Sequence, residues 1–546
     1  MRILTRKILD NSPRNCSREL MSHPVSAQFL VSADLSGLQS CVEKTREARA
    51  QDGQFFTPSA IARRLAGWFR TEGFNRPSVH LLDPGSGVGV LTAAVVDRII
   101  SLRASGVLPR LKSVTLEVWE LDEAFIPILR QNLATCSEAL ERAGIQTKVI
   151  LQHGNYIEGA SRSLDSGLFE QPTVISATHA ILNPPYRKIA SSSRERALLG
   201  TVGIETSNLY SAFVSLALRQ LVNDGELAAI TPRSFCNGPY FREFRREVAG
   251  SASFRRVHVF DSRSEAFGRD QVLQENILFH IIRGELGKGS VTVSTGSLEA
   301  PVTSSVPSDR FISPSDPDQI IHIATESDAV DIRSFVETLP CRLSDLDIQV
   351  STGPVVDFRL KEFLSDQLDP GCVPLIYPHC VKAGKVLAPL AKASLYSGTR
   401  ISKKPVAIRE TEETRKWFLE SSRFVLIKRF SSKEEKRRLV AGVLDPADFP
   451  SGRLGIENHI NFFHRMRSGL PAKLARGLCR FLNSTLADRY FRQFNGHTQV
   501  NASDLRAFRF PDVKTLERLG SAKLDDTKQE AIDLAMTECL GAPSFP

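Results

Sequence analysis

The fold is indicated by the run Val79-His80-Leu81-Leu82-Asp83-Pro84-Gly85-Ser86-Gly87-Val88-Gly89, in which a short apolar strand leads into a glycine-rich loop. A helical pattern begins at Val90. Alternate glycines allow the backbone to turn tightly and to approach a ligand closely, and the following helix adds the favourable dipole of its N-terminus. The run therefore predicts the first strand, loop and helix of a parallel α/β sheet with a nucleotide-type site.

The position of the acid distinguishes this loop from a dinucleotide-binding loop. Asp83 precedes the glycines in the spacing Asp-x-Gly-x-Gly-x-Gly, whereas dinucleotide sites use Gly-x-Gly-x-x-Gly. A carboxylate there would repel a pyrophosphate and suits the cationic amino-acid end of a ligand. We expect Asp83, Pro84, Gly85, Gly87 and Gly89 to bind such a ligand.

Two further predicted strands end in polar residues. Ser113-Val114-Thr115-Leu116-Glu117-Val118-Trp119-Glu120-Leu121-Asp122 ends in acids, and an acid at the end of the second strand of a doubly wound sheet typically binds ribose hydroxyls. We assign that role to Glu120, whereas Asp122 is equally well explained as a helix cap. A third strand, Lys148-Val149-Ile150-Leu151-Gln152-His153, leads into a polar loop that contains Asn155.

A fourth strand ends in Ile181-Leu182-Asn183-Pro184-Pro185-Tyr186. The prolines hold the Asn183 amide and the Pro184 carbonyl in one geometry. Both oxygens can accept hydrogen bonds from one NH2 group, and Tyr186 supplies a stacking face. The simpler interpretation is a strand followed by a Pro-Pro turn, but four strand ends that meet at one sheet edge favour a site for a flat, amino-bearing ring.

In this order, the motifs resemble those of the gamma group of S-adenosylmethionine-dependent DNA N6-adenine methyltransferases, the modification enzymes of type II restriction systems. Gln54-Phe55-Phe56-Thr57-Pro58 is similar to the first cofactor motif of that group, and the resemblance covers residues 46–285. It implies that S-adenosyl-L-methionine is bound by Phe56, Thr57, Pro58, Asp83, Pro84, Gly85, Gly87, Gly89, Glu120, Asn155 and Asn183. It also implies that a methyl group is transferred to N6 of a flipped-out adenine in duplex DNA, with catalytic residues Asn183, Pro184, Pro185 and Tyr186.

Two positions depart from the pattern of that group. The group usually has an acid after the third strand that binds the adenine amino group of the cofactor, and Asn155 stands there in this chain. An amide oxygen can accept the same hydrogen bond without charge. Phe279 is near the place of the aromatic that faces the flipped base, but we leave it out of the site. Phe213 is interpreted as core because of its helical spacing.

The charge of the chain favours a nucleic-acid partner. Its 546 residues contain 70 Lys and Arg against 61 Asp and Glu, a formal net charge of +9. Basic residues cluster late in the chain, in the runs Arg400-Ile401-Ser402-Lys403-Lys404, Lys428-Arg429-Phe430-Ser431-Ser432-Lys433, Lys436-Arg437-Arg438 and His464-Arg465-Met466-Arg467. Any one run is as easily a solvated face, but together they favour contacts with DNA. We expect double-stranded DNA as the partner, a cognate restriction endonuclease that acts separately, a monomer and no membrane.

The length and composition predict two large domains. We expect an N-terminal extension at residues 1–45, a catalytic domain at 46–296, a linker rich in Pro, Ser and Thr at 297–318, and a target-recognition, DNA-binding domain at 319–546. The fold class is α/β, with a doubly wound Rossmann-like methyltransferase domain followed by a mixed α+β domain. The nine cysteines show no CxxC spacing or metal-ligand cluster, and no apolar run or signal-peptide pattern is present, so we expect a cytoplasmic protein without a metal.

Other functions fit parts of this pattern. Cytosine-N4, RNA and glutamine methyltransferases can use the same Asn-Pro-Pro-Tyr, because the site needs only to hold a planar amino group. The large basic C-terminal half argues against glutamine, and the order of the motifs favours adenine over cytosine by analogy. A catalytically inactive DNA-binding specificity subunit would explain Asn155, but the other motif residues are all present. A fused nuclease would need an acid-acid-Lys constellation, and we find no convincing one.

Overall fold

The computed structural model describes residues 56–165, 177–260, 275–284, 286–287, 289–323, 329–389, 404–431, 435–449, 451–495 and 499–543. The predicted N-terminal extension, the motif residues Gln54, Phe55 and Gln274, and parts of two basic runs, residues 400–403 and 432–433, lie outside this part of the chain. The described residues form two compact units. The first extends to Phe235 and includes Tyr240–Ile320, and the second consists of Cys236–Pro239 and the described residues from Ile321 onwards.

The first unit is built on one nine-stranded sheet. Its strands are β1 (Ser78–Pro84), β2 (Ser113–Glu120), β3 (Gln146–His153), β4 (Ala177–Leu182), β5 (Leu221–Pro232), β6 (Ala252–Val259), β7 (Asn276–Arg283), β8 (Ser290–Thr295) and β9 (Val302–Pro307). They lie in the order β3-β2-β1-β4-β5-β7-β6-β8-β9. The five strands from β3 to β5 are parallel, and β7 is antiparallel to both β5 and β6. The predicted Rossmann-like α/β fold is confirmed, and its strand order reverses between β1 and β4.

Helices pack against this sheet and against each other. They are α1 (Ser59–Trp68), α2 (Thr71–Phe74), α3 (Val90–Ala104), α4 (Ile126–Arg142), α5 (Tyr156–Leu164), α6 (Arg194–Thr201), α7 (Leu209–Gln220), α8 (Arg242–Ser251) and α9 (Ser308–Phe311). α1 packs on α3, and α7 packs on β4 and β5. Every residue of β4 is buried, as expected for a parallel strand covered on both faces.

The segment 297–318 belongs to the sheet of the first unit, whereas its composition predicts a linker. It contains β9, which pairs antiparallel with β8, and the short helix α9, whose Phe311 is buried. β9 is an edge strand with one buried residue, Val306. An exposed edge strand tolerates the polar residues and the terminal proline that make this segment look unstructured in sequence.

A buried carboxylate fixes the segment that follows α1. Arg70 donates from its backbone N and from Nε to Glu226 of β5, at 2.9 and 3.1 Å, and His280 Nε2 of β7 lies 2.9 Å from the same carboxylate. Burial would raise the pKa of Glu226, but the hydrogen bond and charge of His280, together with His179 and the Arg70 N–H, outweigh it and lower the pKa to about 2. A Cβ at Gly73 would collide with Glu226, so the close approach of α2 requires glycine.

The second unit combines two five-stranded sheets with helices. Its strands are β10 (Gln349–Thr352), β11 (Leu364–Ser365), β12 (Cys372–Ile376), β13 (Gly384–Lys385), β14 (Ala407–Arg409), β15 (Phe418–Glu420), β16 (Phe424–Lys428), β17 (Ala441–Leu444), β18 (Arg453–Ile456) and β19 (Ile460–His464). The sheet orders are β10-β19-β16-β17-β13 and β11-β14-β12-β18-β15. The helices are α10 (Ala329–Thr338), α11 (Ala472–Leu482), α12 (Thr485–Phe494), α13 (Ala502–Ala507), α14 (Val513–Ser521) and α15 (Gln529–Leu540). None of the helices in the described part of the chain has both the length and the apolar character needed to cross a bilayer.

Candidate active site

A cavity of about 430 Å³ opens beside the carboxyl ends of β1 to β4. Parallel strands bring these ends to one edge of the sheet, and ligands of such folds bind where the strand order reverses. The cavity is lined by Phe56, Gly85, Gly87, Trp119, Glu120, Leu121, Asp122, Phe125, Gly154, Asn155, Tyr156, Ile157, Asn183, Pro185, Arg187, Glu195, Leu209 and Phe213. The structure therefore brings together predicted residues from all four strand ends.

The glycine-rich loop follows β1 with left-handed backbone at each glycine. The φ angles of Gly85, Gly87 and Gly89 are 75°, 56° and 86°. Gly85 N and Ser86 N both donate to the carbonyl oxygen of Trp119, at 2.8 and 2.9 Å. A side chain at any of these three glycines would be strained by its backbone angle. The loop thus lies against the end of β2 and ends at Gly89, where α3 begins.

Glu120, at the end of β2, accepts a hydrogen bond from that loop. Its Oε2 accepts from Gly87 N at 2.8 Å, and its Oε1 accepts from Asp122 N at 2.7 Å. Burial raises the pKa of Glu120 more than these hydrogen bonds lower it. Each carboxylate oxygen has a second lone pair, so Glu120 can still accept hydrogen bonds from a ligand in the cavity.

Asp83 lies beneath the loop and does not line the cavity. It is fully buried, and its Oδ2 accepts a hydrogen bond from Thr92 Oγ1 at 2.6 Å. Within the described residues, its Oδ1 has no hydrogen-bond partner. Burial raises the pKa of Asp83 to about 7, and the charge of Glu120 contributes in the same direction. Asp83 contacts Thr92 of α3 and does not line the cavity, so its predicted direct contact with a ligand stays a prediction.

The side-chain amide of Asn183 is held from both sides. Its Nδ2 donates to Thr57 Oγ1 at 2.9 Å, and the Tyr186 hydroxyl lies 3.1 Å from Asn183 Oδ1 and 3.3 Å from the carbonyl oxygen of Ile230. Burial raises the pKa of Tyr186 well above its ordinary value, so the hydroxyl keeps the proton that it donates. Thr57 is itself buried and contacts Asn183 instead of lining the cavity, and Pro58 is the N-cap of α1.

Aromatic rings surround the Asn-Pro-Pro-Tyr turn. Tyr186 contacts Tyr210 edge-on with 6.4 Å between ring centres, and Tyr210 stacks on Phe241 at 5.6 Å. Pro184 is buried, whereas Pro185 lines the cavity. Phe279 lies in the core of β7, where it contacts Phe235 and Phe254.

Asn155 caps a helix at the cavity wall. Its Oδ1 accepts from Ile157 N at 3.0 Å, and its Nδ2 donates to Glu195 Oε1 at 3.4 Å. The oxygen that the sequence predicts as a ligand acceptor therefore already caps α5. Glu195 of α6 places a carboxylate at the same wall, 40 residues away in sequence.

Several lining residues are not apparent from sequence motifs. Trp119 precedes Glu120 on the half-buried strand β2, and Phe125 contacts Phe56 edge-on with 5.4 Å between ring centres. Phe213 is buried, as its helical spacing predicts, and its ring also lines the cavity beside Tyr156. The alternation of β2 could have indicated Trp119, but no local pattern identifies Phe125 or Glu195.

Comparison with known proteins relates the whole chain to one family. The family described as Eco57I restriction-modification methylase matches residues 180–267. The type II methyltransferase M.PstI of Providencia stuartii is 41% identical over 523 residues, which cover 95% of this chain and 98% of that protein. The type II methyltransferase M.BsuBI of Bacillus subtilis is 39% identical over 526 residues, covering 94% and 98%.

The chain belongs to the type II restriction-modification methyltransferase family. Among solved structures, the type IIL restriction-modification enzyme MmeI in complex with DNA is similar in fold, with a TM-score of 0.51 and 12% identity. That alignment covers 96% of this chain and 75% of MmeI. The fold of this methyltransferase family member is thus similar to that of MmeI, although few residues are identical.

We expect Asp83→Asn to raise the thermal unfolding midpoint of this methyltransferase family member more at pH 8 than at pH 5. The pKa of Asp83 is raised to about 7 from an ordinary 3.8, so between these values the native protein keeps a proton that the unfolded chain has released. The free energy of unfolding of the unsubstituted protein therefore falls as the pH rises through this window, by up to about 1.4 kcal/mol per pH unit. Asparagine keeps an acceptor for Thr92 and carries no charge. Calorimetry across this pH range measures the difference.

Asp165→Asn provides the control, because Asp165 is exposed at the end of α5. Its unfolding midpoint should follow that of the unsubstituted protein at every pH. An Asp83→Asn midpoint that differs by the same amount at pH 5 and pH 8 would contradict the burial of a titrating carboxyl group beneath the loop.

Proposed function

We propose that this protein is a site-specific DNA methyltransferase that transfers a methyl group from S-adenosyl-L-methionine to N6 of a flipped-out adenine in duplex DNA. The observation that carries the proposal is the Asn183 amide at the end of β4, held by Thr57 and Tyr186 beside the cavity. M.PstI and M.BsuBI are named type II methyltransferases, and the matching family is described as a restriction-modification methylase, which supports methyl transfer within a restriction-modification system. The order of motifs, which resembles that of the gamma group, favours adenine.

The cavity fits the proposed cofactor in size and chemistry. Its volume of about 430 Å³ lies within the usual range of small-molecule sites, and the positive-φ glycines leave space next to the backbone. Glu120 would bind the ribose hydroxyls, and the rings of Phe56 and Phe125 offer apolar faces for a purine. When bound, S-adenosyl-L-methionine supplies a methyl group on a positively charged sulfur.

We further propose that Glu195 and Asn155 together accept the amino group of the cofactor's adenine. Asn155 Oδ1 already accepts from Ile157 N, whereas the Glu195 carboxylate retains acceptor capacity and carries charge. Hydrogen bonds to charged groups are stronger than those between neutral partners. Glu195 would thus replace the acid that the sequence lacks at position 155.

The chain would activate the target amine by orientation and electrostatics. Asn183 Oδ1 and the Pro184 carbonyl oxygen would accept its two N–H groups, which leaves the nitrogen lone pair directed at the methyl group. After transfer the nitrogen is positively charged until it loses a proton, and the same oxygens stabilise that charge. Tyr186 stacking, on the order of 1–3 kcal/mol, would offset part of the cost of flipping the base.

Thr57 acts in this proposal as a positioning residue for Asn183. Its hydroxyl oxygen accepts from Asn183 Nδ2, which directs Oδ1 toward Tyr186 and the target amine. Without this contact the Asn183 amide could rotate and present its NH2 group to the target amine. Both groups are hydrogen-bond donors, so they would repel each other. Pro58 would hold Thr57 in place by starting α1.

The partners follow from the same proposal. Double-stranded DNA is the substrate, and its methylation protects the site from a cognate restriction endonuclease that acts as a separate protein. We also propose a monomer, and the cavity and the Asn-Pro-Pro-Tyr turn both lie within one copy.

The reaction is tested by incubating the protein with methyl-labelled S-adenosyl-L-methionine and unmethylated genomic DNA, followed by digestion to nucleosides and mass spectrometry. We expect labelled N6-methyladenine. Labelled N4-methylcytosine would mean that the same mechanism acts on cytosine instead of adenine. If the DNA carries no label although the cofactor binds, the proposal is wrong, and RNA or protein substrates become the next candidates.

We expect Asn183→Ala to reduce methyl transfer about 10²–10³-fold, the usual effect of removing one polar group that stabilises developing charge. Thr57→Val, which removes the hydroxyl and keeps the shape, should lower kcat about tenfold while the cofactor Kd stays unchanged. Thr57→Ser is the matched control and should restore kcat because it keeps the hydroxyl. An increase of the cofactor Kd in Thr57→Val, with normal kcat at saturation, would assign Thr57 to the cofactor instead.

The role of Glu195 is tested by comparing S-adenosylhomocysteine with its inosine counterpart, in which an oxo group replaces the amino group. We expect the unsubstituted protein to prefer the amino form by about ten- to a hundredfold, because the oxo group cannot donate to Glu195. Glu195→Gln should narrow this ratio toward one, since an amide can both donate and accept. Arg194→Gln, at the exposed neighbouring position, is the control. An unchanged ratio in Glu195→Gln would show that Glu195 does not accept a hydrogen bond from the adenine amino group.

A further inference from the structure

Three lysines of the second unit gather around one histidine, His379. Lys428 ends β16, and the turn of residues 382–385 contains β13, which pairs in parallel with the neighbouring strand β17 at Gly442. A Cβ at Gly442 would lie 2.7 Å from the Lys382 carbonyl oxygen. The partner of Gly442 in β16 lies two residues before Lys428. The backbone therefore brings Lys382 and Lys428 to the same part of the sheet.

Lys404 joins the group through an aromatic ring. Its Nζ lies 5.3 Å from the centre of the Tyr377 ring, and that ring stacks on His379 with 5.9 Å between ring centres. Burial lowers the pKa of His379, and the charges of Lys382, Lys428 and Lys404 lower it further. Because all three ammonium groups act on one imidazole, we name Lys382, Lys404 and Lys428 the lysine cluster.

The lysine cluster carries more positive charge than its carboxylate neighbour neutralises. Asp357 pairs with Lys404 at 2.7 Å. Within the described residues, neither Lys382 nor Lys428 forms an ion pair, and Glu435 attracts Lys428 without pairing with it. Burial lowers the pKa of Lys428, and the charge of Lys382 lowers it further. The charged form of a half-buried ammonium group beside a second one is stabilised when an anion approaches both groups.

Nearby arginines of the same basic runs are engaged inside the unit. Arg429 donates to Gln499 Oε1 at 3.2 Å and to the Asn458 carbonyl oxygen at 3.1 Å. Arg438 is buried and donates to Asn495 Oδ1 at 2.8 Å. Arg429 and Arg438 thus bind the protein itself, whereas Lys428 forms no ion pair with the described residues.

We infer that the lysine cluster binds a backbone phosphate of duplex DNA, an inference that rests on the proposed function. Lysine ammonium groups bind phosphate as compact point charges and do not need the planar geometry of an arginine fork. One phosphate supplies the anion that Lys382 and Lys428 lack. Phe430, two residues beyond Lys428, is 41% exposed, and its ring contacts His459 edge-on with 4.7 Å between ring centres. A phosphate contact positions the duplex and is independent of base sequence.

The test compares Lys382→Gln/Lys404→Gln/Lys428→Gln with the unsubstituted protein in binding to a duplex of arbitrary sequence over a range of salt concentrations. We expect the slope of log K against log salt to become shallower by about one, and the affinity at low salt to fall about tenfold. The control Lys361→Gln/Lys416→Gln/Lys473→Gln removes the same charge from exposed positions of the same unit and should leave the slope unchanged.

If Lys428 instead stabilised the fold, its substitution would change the thermal unfolding midpoint in a different direction. Lys428→Gln alone removes a half-buried, unpaired charge, so its thermal unfolding midpoint should stay equal or rise, whereas a lysine that stabilises the fold would lower it. An unchanged slope in the cluster variant, or an equal change in the control variant, overturns the inference. If the unsubstituted protein methylates and binds DNA while the cluster variant keeps its slope, only this inference fails. If the unsubstituted protein binds no duplex, the proposed function fails with it.

Discussion

The end of β2 holds the glycine-rich loop in shape by supplying its hydrogen-bond acceptors. The Trp119 carbonyl accepts from Gly85 N and Ser86 N, and the Glu120 carboxylate accepts from Gly87 N. Three successive backbone N–H groups would otherwise face the cavity without a fixed partner. The left-handed glycines follow from this path, because only glycine adopts it without strain. The first wall of the cavity therefore depends on the parallel register that places Pro84 opposite Trp119.

The same region holds two carboxyl groups, Asp83 beneath the loop and Glu120 in the cavity wall. Burial raises the pKa of both Asp83 and Glu120, and the charge of Glu120 contributes to the shift of Asp83. In the described structure these carboxyl groups face backbone N–H groups and a threonine hydroxyl, with no cation among their hydrogen-bond partners. Negative charge on Glu120 in the cavity wall would attract the cationic end of a ligand and would repel a pyrophosphate, which is the electrostatic reason why the cavity suits the proposed cofactor.

The fold and the position of the cavity could be predicted because their signals are local. The run from Val79 to Gly89 and the Asn-Pro-Pro-Tyr turn each define a strand end within a few residues, and parallel strands bring such ends together. Contacts between distant segments could not be predicted. Thr57 meets Asn183 across 126 residues, and Glu195 meets Asn155 across 40. Composition alone also cannot distinguish a linker from the polar edge strand β9. The catalytic and binding roles of the site residues stay predictions.

The two outer strands of the large sheet have a consequence for the behaviour of the protein at high concentration. An edge strand exposes unpaired backbone groups that another copy can extend, which leads to aggregation when the strand is long and apolar. β9 is six residues long, largely polar and exposed, and ends at Pro307, which cannot donate a backbone hydrogen bond. At the opposite edge, β3 contains Lys148, Gln152 and His153, but its Val149 is 39% exposed. The border formed by β9 thus discourages extension of the sheet by a second copy more strongly than the border formed by β3 does.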